Sequence, residues 1–296
     1  MKKPSEKKLR LGLPKGSLEE ATYRLLAKAG VQVYARSRSY YPAASDVDLE
    51  LVLYRPQEMA RYVEDGIVDA AITGYDWMVE NDVKKVKILS TLTYAKQTRR
   101  AVRWVLAVPE NSSFKSVKDL KGKKISTELV NVTKKYLKKH NVKANVEFSW
   151  GATEVKPPLL ADAIVEVTET GSSLKANRLR IIDDVMESRT VFLANPIALK
   201  NSWKKAKMEN LVMLLEGAIQ AEAKVGLKMN VAKKNLDKIL KILPALKTPT
   251  ISSLSNKNWY DVDTVIDEEE VIRLIPELKR AGAEGIIEYP LNKVID

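Results

Sequence analysis

The chain has 296 residues, 45% of them hydrophobic and 30% charged, a balance that fits a globular protein of two or three domains with a core in each. It contains no cysteine, which excludes disulfides, thiolate metal sites and cysteine nucleophiles, and its one histidine, His140, argues against serine–histidine triads and histidine metal sites. The net charge of +12 admits nucleic acid as a partner, but the lysines are interleaved with acids, and no zinc-finger spacing or aromatic RNA-binding motif accompanies them.

A polyanionic small molecule or a solvated lysine-rich surface accounts for the charge equally well. No apolar run approaches the roughly 18 residues of a membrane span. The basic start, Met1 to Lys8, leads into an apolar stretch that stops at Pro14-Lys15, too short for a signal peptide, so a cytoplasmic protein without membrane or nucleic-acid partners is expected.

Leu9 to Leu13 is a predicted strand, and Pro14-Lys15-Gly16-Ser17 a turn into a helix from Leu18 to Ala29, stopped by Gly30. This places Lys15 and Gly16 at the carboxyl edge of a sheet, where open α/β sheets bind ligands; a plain turn with a solvated lysine is the simpler alternative. Leu49 to Tyr54 is a second strand, and Pro56 opens a helix that ends near Gly66. Val68-Asp-Ala-Ala-Ile-Thr-Gly-Tyr-Asp76 is again a strand, a glycine turn and a helix start, in which Asp76 suits an N-cap. Two strands are expected within 86–108, around a cluster of Lys96, Arg99, Arg100 and Arg103 that would either draw phosphates or form a solvated loop.

From Ser116 the chain reads as a short helix ending at Gly122, a strand from Lys123, a helix from Glu128 to His140 and a strand from Ala144 to Phe148. His140 then lies at a helix C-terminus, where a cation suits the dipole. Pro157-Pro158 fits only a loop or a helix's first turn. Ala163 to Val167, broken only by Glu166, suits a buried parallel strand. It runs through Thr168, Glu169, Thr170, Gly171, Ser172 and Ser173 into a helix at Leu174. Unpaired backbone N–H groups, hydroxyls and a helix N-terminus gathered in one turn bind phosphate. The neighbouring Glu166 and Glu169 suit ribose hydroxyls or Mg²⁺. An ordinary strand–helix turn capped by Thr170 or Ser172 remains the plain alternative.

Leu179 to Met186 and Thr190 to Ala194 are predicted strands that cross back towards a first lobe. After a long helix from Ser202, the order strand 224–231, helix 232–243, strand 249–254, strand 259–266, helix 267–280 and strand 282–289 defines a ferredoxin-like βαββαβ module.

The turn after Ala161, with Ile164, Val167, Thr170, Gly171 and Leu174 in register, resembles the phosphoribosyl-pyrophosphate (PRPP) loop of the ATP phosphoribosyltransferases. Glu166 stands for the family's Asp, Ser173 for its Thr, a leucine (Leu159 or Leu160) for its Gly, and Glu154 lies one residue out of step. The Pro-Lys-Gly turn, with Ser17 where some members have arginine, and the Ile-Thr-Gly-x-Asp segment are similar to family motifs. Thr248 to Leu254, Asn258-Trp259 and Ala281 to Ile286 resemble the regulatory domain of the long-form enzyme.

The resemblance implies an α/β fold: two periplasmic-binding-protein-like (type II) catalytic lobes plus a C-terminal ferredoxin-like regulatory domain. The expected limits are 1–100 with 186–206 for lobe I, 101–185 for lobe II, and 207–296 for the third domain. It implies transfer of phosphoribosyl from PRPP to N1 of ATP, with Mg²⁺ and without a covalent protein nucleophile. PRPP would meet Glu166, Thr168, Glu169, Thr170, Gly171, Ser172 and Ser173. The ATP side of the cleft would hold Lys15, Gly16, Thr73, Gly74 and Asp76. The metal has Glu166 and Glu169 as its candidate ligands. Histidine, and AMP, would inhibit, with histidine near Thr250, Ser252 and Ala283, in a homo-oligomer of dimers and hexamers. A solute-binding protein or a non-catalytic nucleotide or amino-acid sensor of the same fold is the competing reading.

Overall fold

The computed structural model describes residues 7–36, 38–94, 101–244 and 248–295. It divides into two compact units, Met1–Ala27 with Val31–Val212 and Lys28–Gly30 with Met213–Asp296. The first unit opens with β1 (Leu9–Pro14), α1 (Glu19–Lys28), the short strands β2 (Val33–Tyr34) and β3 (Ala43–Ala44), β4 (Leu49–Tyr54), α2 (Pro56–Glu64), β5 (Ala70–Gly74), α3 (Tyr75–Glu80) and β6 (Lys87–Leu92). Strands β4, β1 and β5 run parallel. Leu9, Leu11 and Leu13 of β1 are fully buried on one face and Gly12 and Pro14 are buried on the other, as expected for a strand covered on both faces. At Gly12 a Cβ would come within 2.5 Å of Met59 Sδ, so the missing side chain lets α2 seat its apolar face on the sheet.

The chain then builds a second sheet from β7 (Val102–Pro109), β8 (Lys124–Thr127), α4 (Val130–Lys139), β9 (Asn145–Phe148), β10 (Ala163–Thr168), α5 (Ser172–Ala176) and β11 (Leu179–Ser188). It returns to the first sheet as β12 (Thr190–Ala194). The two five-stranded sheets have the orders β4-β1-β5-β12-β6 and β11-β7-β10-β8-β9. Only β12 crosses back. The predicted strand from Leu179 stays in the second sheet as β11, antiparallel to β7, because the crossing is made in the single residue Arg189 between Ser188 and Thr190. Tyr75 N–H donates to Arg189 O at 2.9 Å, and Thr190 Oγ1 donates to Tyr94 O at 3.1 Å, which fastens the crossing strand to α3 and to the end of the first lobe's last strand.

Strand β10 is parallel to β8 but antiparallel to β7, so the expectation of a purely parallel setting is corrected to a mixed one. Its one acid is not the outward-facing residue: Glu166 is buried and Val167 is exposed. The helix predicted from Glu128 begins at Val130, which leaves Glu128 at the end of β8, and the one predicted at Leu174 begins two residues earlier, at Ser172. His140 caps the C-terminus of α4 and its ring lies 4.5 Å from that of Tyr136. Lys96, Arg99 and Arg100 lie outside the described residues, and Arg103 pairs with Asp184 at 3.0 Å.

After α6 (Ser202–Ala221), within which the division between units falls, the second unit comprises β13 (Lys224–Ala232), α7 (Leu236–Ile242), β14 (Thr250–Ser253), β15 (Trp259–Asp267), α8 (Glu268–Arg280) and β16 (Ala283–Pro290). Its antiparallel sheet has the order β14-β15-β13-β16, the ferredoxin-like arrangement. Leu227, Met229, Val262, Leu274 and Leu278 form one buried core between the sheet and the helices. The fold is thus α/β, with two periplasmic-binding-protein-like lobes and a ferredoxin-like module.

Replacing Gly12 with Val adds side-chain volume against the buried Met59 and is expected to cost about 1–3 kcal/mol through overpacking. A urea melt with an unchanged midpoint would show that α2 does not seat here as described.

Candidate active site

The sheets of the first unit deliver their carboxyl ends to a common cavity of about 380 Å³. Lys15 and Gly16 follow β1, Arg55 follows β4, Gly74 ends β5, and Asp76 and Trp77 lie in the first turn of α3. From the second lobe come Glu128, after β8, Trp104 of β7, and Glu166, Thr168 and Glu169 at the end of β10. Ser188, Arg189 and Thr190 at the crossing close the wall. Ligand sites of open α/β sheets lie at such strand ends.

Asp76 is the most enclosed of these groups, with 5% exposure. Its Oδ2 accepts from Trp104 Nε1 at 2.6 Å and its Oδ1 from Trp77 N–H at 3.0 Å, while its own N–H donates to Ser188 Oγ at 3.0 Å. Burial pushes its carboxyl upward from the usual range, against the pull of hydrogen bonds from Trp104, Ser188 and the Trp77 N–H. Two further ties join the lobes. Gln57 Nε2 donates to Glu128 Oε2 at 3.1 Å, and the Glu80 carboxylate accepts the Asn131 and Val132 N–H groups, at 2.9 and 3.0 Å, at the start of α4.

Glu166 is the second buried acid. Burial pushes its carboxyl up to about 7, and the nearby charges of Glu154 and Glu128 push the same way; hydrogen bonds from the Thr153 hydroxyl and the Val167 N–H pull against them. Lys15 is partly exposed and bonded to Glu19 of α1 at 3.0 Å.

The cavity therefore gathers Lys15, Gly16, Gly74, Asp76, Glu166, Thr168 and Glu169 of the residues expected from sequence. Thr73 is fully buried instead, and its hydroxyl donates to Pro56 O at 3.1 Å, supporting the turn that presents Arg55. Thr170, Gly171, Ser172 and Ser173 lie in the turn just beyond Glu169 and are not part of the cavity wall. Their groups bond to one another and to neighbours: Gly171 N–H to Thr168 Oγ1 at 2.7 Å, Thr170 Oγ1 with Ser172 Oγ at 2.9 Å, and Ser173 Oγ to Glu154 Oε1 at 2.6 Å. Helix α5 has only five residues, so the turn's amides and hydroxyls, more than a long helix dipole, define its chemistry.

Sequence reasoning passed over Arg55, Glu128, Trp104 and Arg189 as cavity residues. Arg55 directly follows a predicted strand and Glu128 closely follows another, so the strand-end rule applied to Lys15 would have marked both. Trp104 and Arg189 carry no such local signal, since their place depends on how the two sheets meet.

In the second unit, Thr250 and Ser252 are exposed on β14, whereas Ala283 is fully buried where β16 begins. The two strands are opposite edges of the sheet, separated by three inter-strand steps of about 4.8 Å each. Within a single module, Thr250 and Ser252 therefore do not lie beside Ala283.

Comparison with known proteins agrees with this architecture. The profile of HisG, ATP phosphoribosyltransferase, matches residues 55–217, and that of the HisG C-terminal domain matches residues 221–293. The ATP phosphoribosyltransferase of Chlorobium phaeobacteroides is 58% identical over 288 residues, covering 97% of this chain and 98% of that one. That of Solibacter usitatus is 59% identical over 287 residues, covering 97% and 99%. The chain belongs to the ATP phosphoribosyltransferase family. It is a pentosyltransferase that uses ATP and PRPP at the first step of histidine biosynthesis. A solved ATP phosphoribosyltransferase HisG:HisZ complex from Thermotoga maritima matches with a TM-score of 0.60 and 28% identity, over 70% of this chain and 98% of that one.

Because the folded-state pKa of Glu166 lies above its unfolded value, ionising this ATP phosphoribosyltransferase carboxyl costs stability. The cost is absent below the unfolded value of 4.5, grows with pH and is complete above about 7. A shift of that size amounts to at most roughly 3 kcal/mol. Glu166→Gln should therefore raise the melting temperature at pH 8 and leave it nearly unchanged at pH 4.5. An equal change at both pH values would rule out the burial of an ionisable Glu166 as the cause.

Proposed function

We propose that this cavity holds PRPP and ATP together, so that adenine N1 bonds to ribose C1 as the C1–oxygen bond to pyrophosphate breaks. The observation that supports it best is the meeting, at one set of strand ends, of the cations Lys15, Arg55 and Arg189 with the carboxylates Glu166 and Glu169, next to the 170–173 turn. Triphosphate and pyrophosphate oxygens suit the cations, and ribose hydroxyls suit the carboxylates. The amides and hydroxyls of Thr170, Gly171, Ser172 and Ser173 take the 5-phosphate, with Thr168 shaping the turn from below. Gly74 and Asp76 form the floor on the ATP side.

No covalent protein nucleophile takes part. Catalysis is positioning plus stabilisation of developing charge, and each charge-assisted hydrogen bond contributes roughly 1.5–3 kcal/mol. Among the described residues, no group of three or more His, Cys, Asp or Glu side chains is gathered to hold a metal ion. Mg²⁺ is accordingly proposed to enter on the substrates' phosphates, whose charge it would neutralise; the half-buried turn carboxylate Glu169 suits it better than the more deeply buried, proton-retaining Glu166.

The C-terminal module is proposed to take histidine as a feedback inhibitor, with AMP as a second inhibitor, in an assembly of dimers and hexamers. No helix among the described residues is long and apolar enough to cross a membrane, and the cytoplasm is the proposed location.

Absorbance at the phosphoribosyl-ATP band, with ATP, PRPP, Mg²⁺ and pyrophosphatase, tests the reaction. A PRPP-dependent rise suppressed by histidine is expected. A rise untouched by histidine would overturn the regulatory reading alone, and no rise from folded protein would overturn both.

Gly171 has φ +80°, while a Cβ there would meet only Ile181 Cδ1 at 3.9 Å, so a side chain costs backbone strain more than space. That strain is about 1–2 kcal/mol, and Gly171→Val should lower kcat/KM for PRPP at least about tenfold. Unchanged PRPP kinetics would remove the turn from the substrate site.

A further inference from the structure

We propose that Lys156 is a positioning residue of the phosphoribosyl site, acting on the Glu166 carboxylate through a hydrogen-bonded line of two hydroxyls, Ser149 and Thr153. The inference rests on the placing of PRPP against Glu166 given above.

Lys156 follows the short 3-10 turn Thr153–Val155. Its Nζ lies 2.6 Å from Ser149 Oγ and 3.2 Å from Ser126 Oγ at the end of β8. Ser149 Oγ is 2.9 Å from Thr153 Oγ1, and the Thr153 side chain is hydrogen-bonded to Glu166. Ser149 and Thr153 are at most 1% exposed, so solvent does not supply alternative partners.

The chemistry of the two ends fixes the direction of the line. An ammonium only donates, and a carboxyl that has lost its proton, as Glu166 has above about pH 7, only accepts. Lys156 therefore donates to Ser149, Ser149 to Thr153, and Thr153 to Glu166. The other acceptor for the Ser149 hydroxyl, Gly151 O, is at the longer distance of 3.4 Å. Hydroxyls aligned between a cation and an anion polarise one another, so the line is stronger than its separate bonds.

Its position makes this useful. Glu166 is flanked by the like charges of Glu154 and Glu128, which repel it, and faces a cavity whose cations are Lys15, Arg55 and Arg189. Held by the Thr153 hydroxyl on one side and its neighbour's N–H, Val167, at 3.1 Å on the other, the carboxylate keeps one orientation, with lone pairs left for ribose hydroxyls. The same 3-10 turn also ties the phosphate turn, through Glu154 and Ser173. A lysine serving only to solvate the surface would not be drawn against two buried serines, since that placement costs side-chain entropy and hydration.

The test uses full-length K156M, T153V, the double variant, T153S and E166Q, with PRPP and ATP varied separately in steady state and melting temperatures recorded. K156M and T153V should each raise KM for PRPP about tenfold while kcat and KM for ATP stay within about twofold. The double variant should be no worse than the poorer single one, because both break one line. T153S, which keeps the hydroxyl, should recover KM for PRPP.

Additive single effects, or equal shifts in both KM values with a lowered melting temperature, would overturn the proposal in favour of plain packing. Should K156M not fold, the contrast of T153V with T153S decides in the same way. If E166Q weakens PRPP binding while K156M and T153V do not, the Lys156 inference fails alone. If E166Q also leaves PRPP kinetics unchanged, the placing of PRPP fails with it.

Discussion

The cavity depends on one buried carboxylate. Asp76 belongs to the first lobe, yet its shortest hydrogen bond, 2.6 Å, comes from the indole of Trp104 in the second. A carboxylate with 5% exposure is costly unless its lone pairs are filled, and hydrogen bonds to a charged group contribute roughly 1.5–3 kcal/mol each. The donors come from three different segments: α3 itself, β7, and Ser188 where the chain crosses between sheets. Satisfying Asp76 thus requires that α3, β7 and the crossing strand lie together. The cavity walls, which those same segments carry, follow from that requirement.

The mixed charge of the walls has a physical sense once burial is considered. Glu128, Glu166 and Glu169 face the same space as Lys15, Arg55 and Arg189. Fully ionised acids would repel two phosphate-rich substrates, whose sugars nonetheless need hydroxyl acceptors. With its carboxyl pushed up to about 7, Glu166 presents less than a full negative charge near neutral pH while keeping its lone pairs. Lys15, bonded to Glu19, is likewise partly neutralised until a stronger anion competes for it.

Much of this was legible in the sequence where local signals agree. β4 and β12 have the limits their apolar runs imply, and the strands of the C-terminal module fall within about two residues of expectation, because turn residues and patterning mark the same boundaries. What escaped was set by partners distant in the chain. Glu166 looked like a break in an apolar strand; a position between β7 and β8, beneath the Thr153 turn, buries it and leaves Val167 outside. Thr73 and Asp76 look alike as cleft candidates, yet one is bonded inward to Pro56 and the other reaches the second lobe. Ala283 and Thr250 each sit in a recognisable segment, and only the strand order reveals that they occupy opposite edges of the sheet.

The turn proposed to hold the 5-phosphate shows how a loop can be ordered before a ligand arrives. Gly171 N–H is held by Thr168 Oγ1, and the hydroxyls of Thr170, Ser172 and Ser173 all have partners. A phosphate must displace some of these bonds, but most are neutral pairs, and a dianion offers charge-assisted ones that are about twice as strong. The exchange is favourable because the turn is already folded, so little ordering entropy remains to be lost on binding. Gly171 makes this possible: its left-handed conformation bends the chain tightly enough for Thr168 to reach back to its N–H. The bond from Ser173 to Glu154 then couples the turn to the segment that also holds Glu166. In the proposed placing of PRPP, a phosphate that pulled Ser173 away from Glu154 would therefore alter the surroundings of Glu166, and the two ends of the sugar phosphate would be sensed by one connected set of hydrogen bonds.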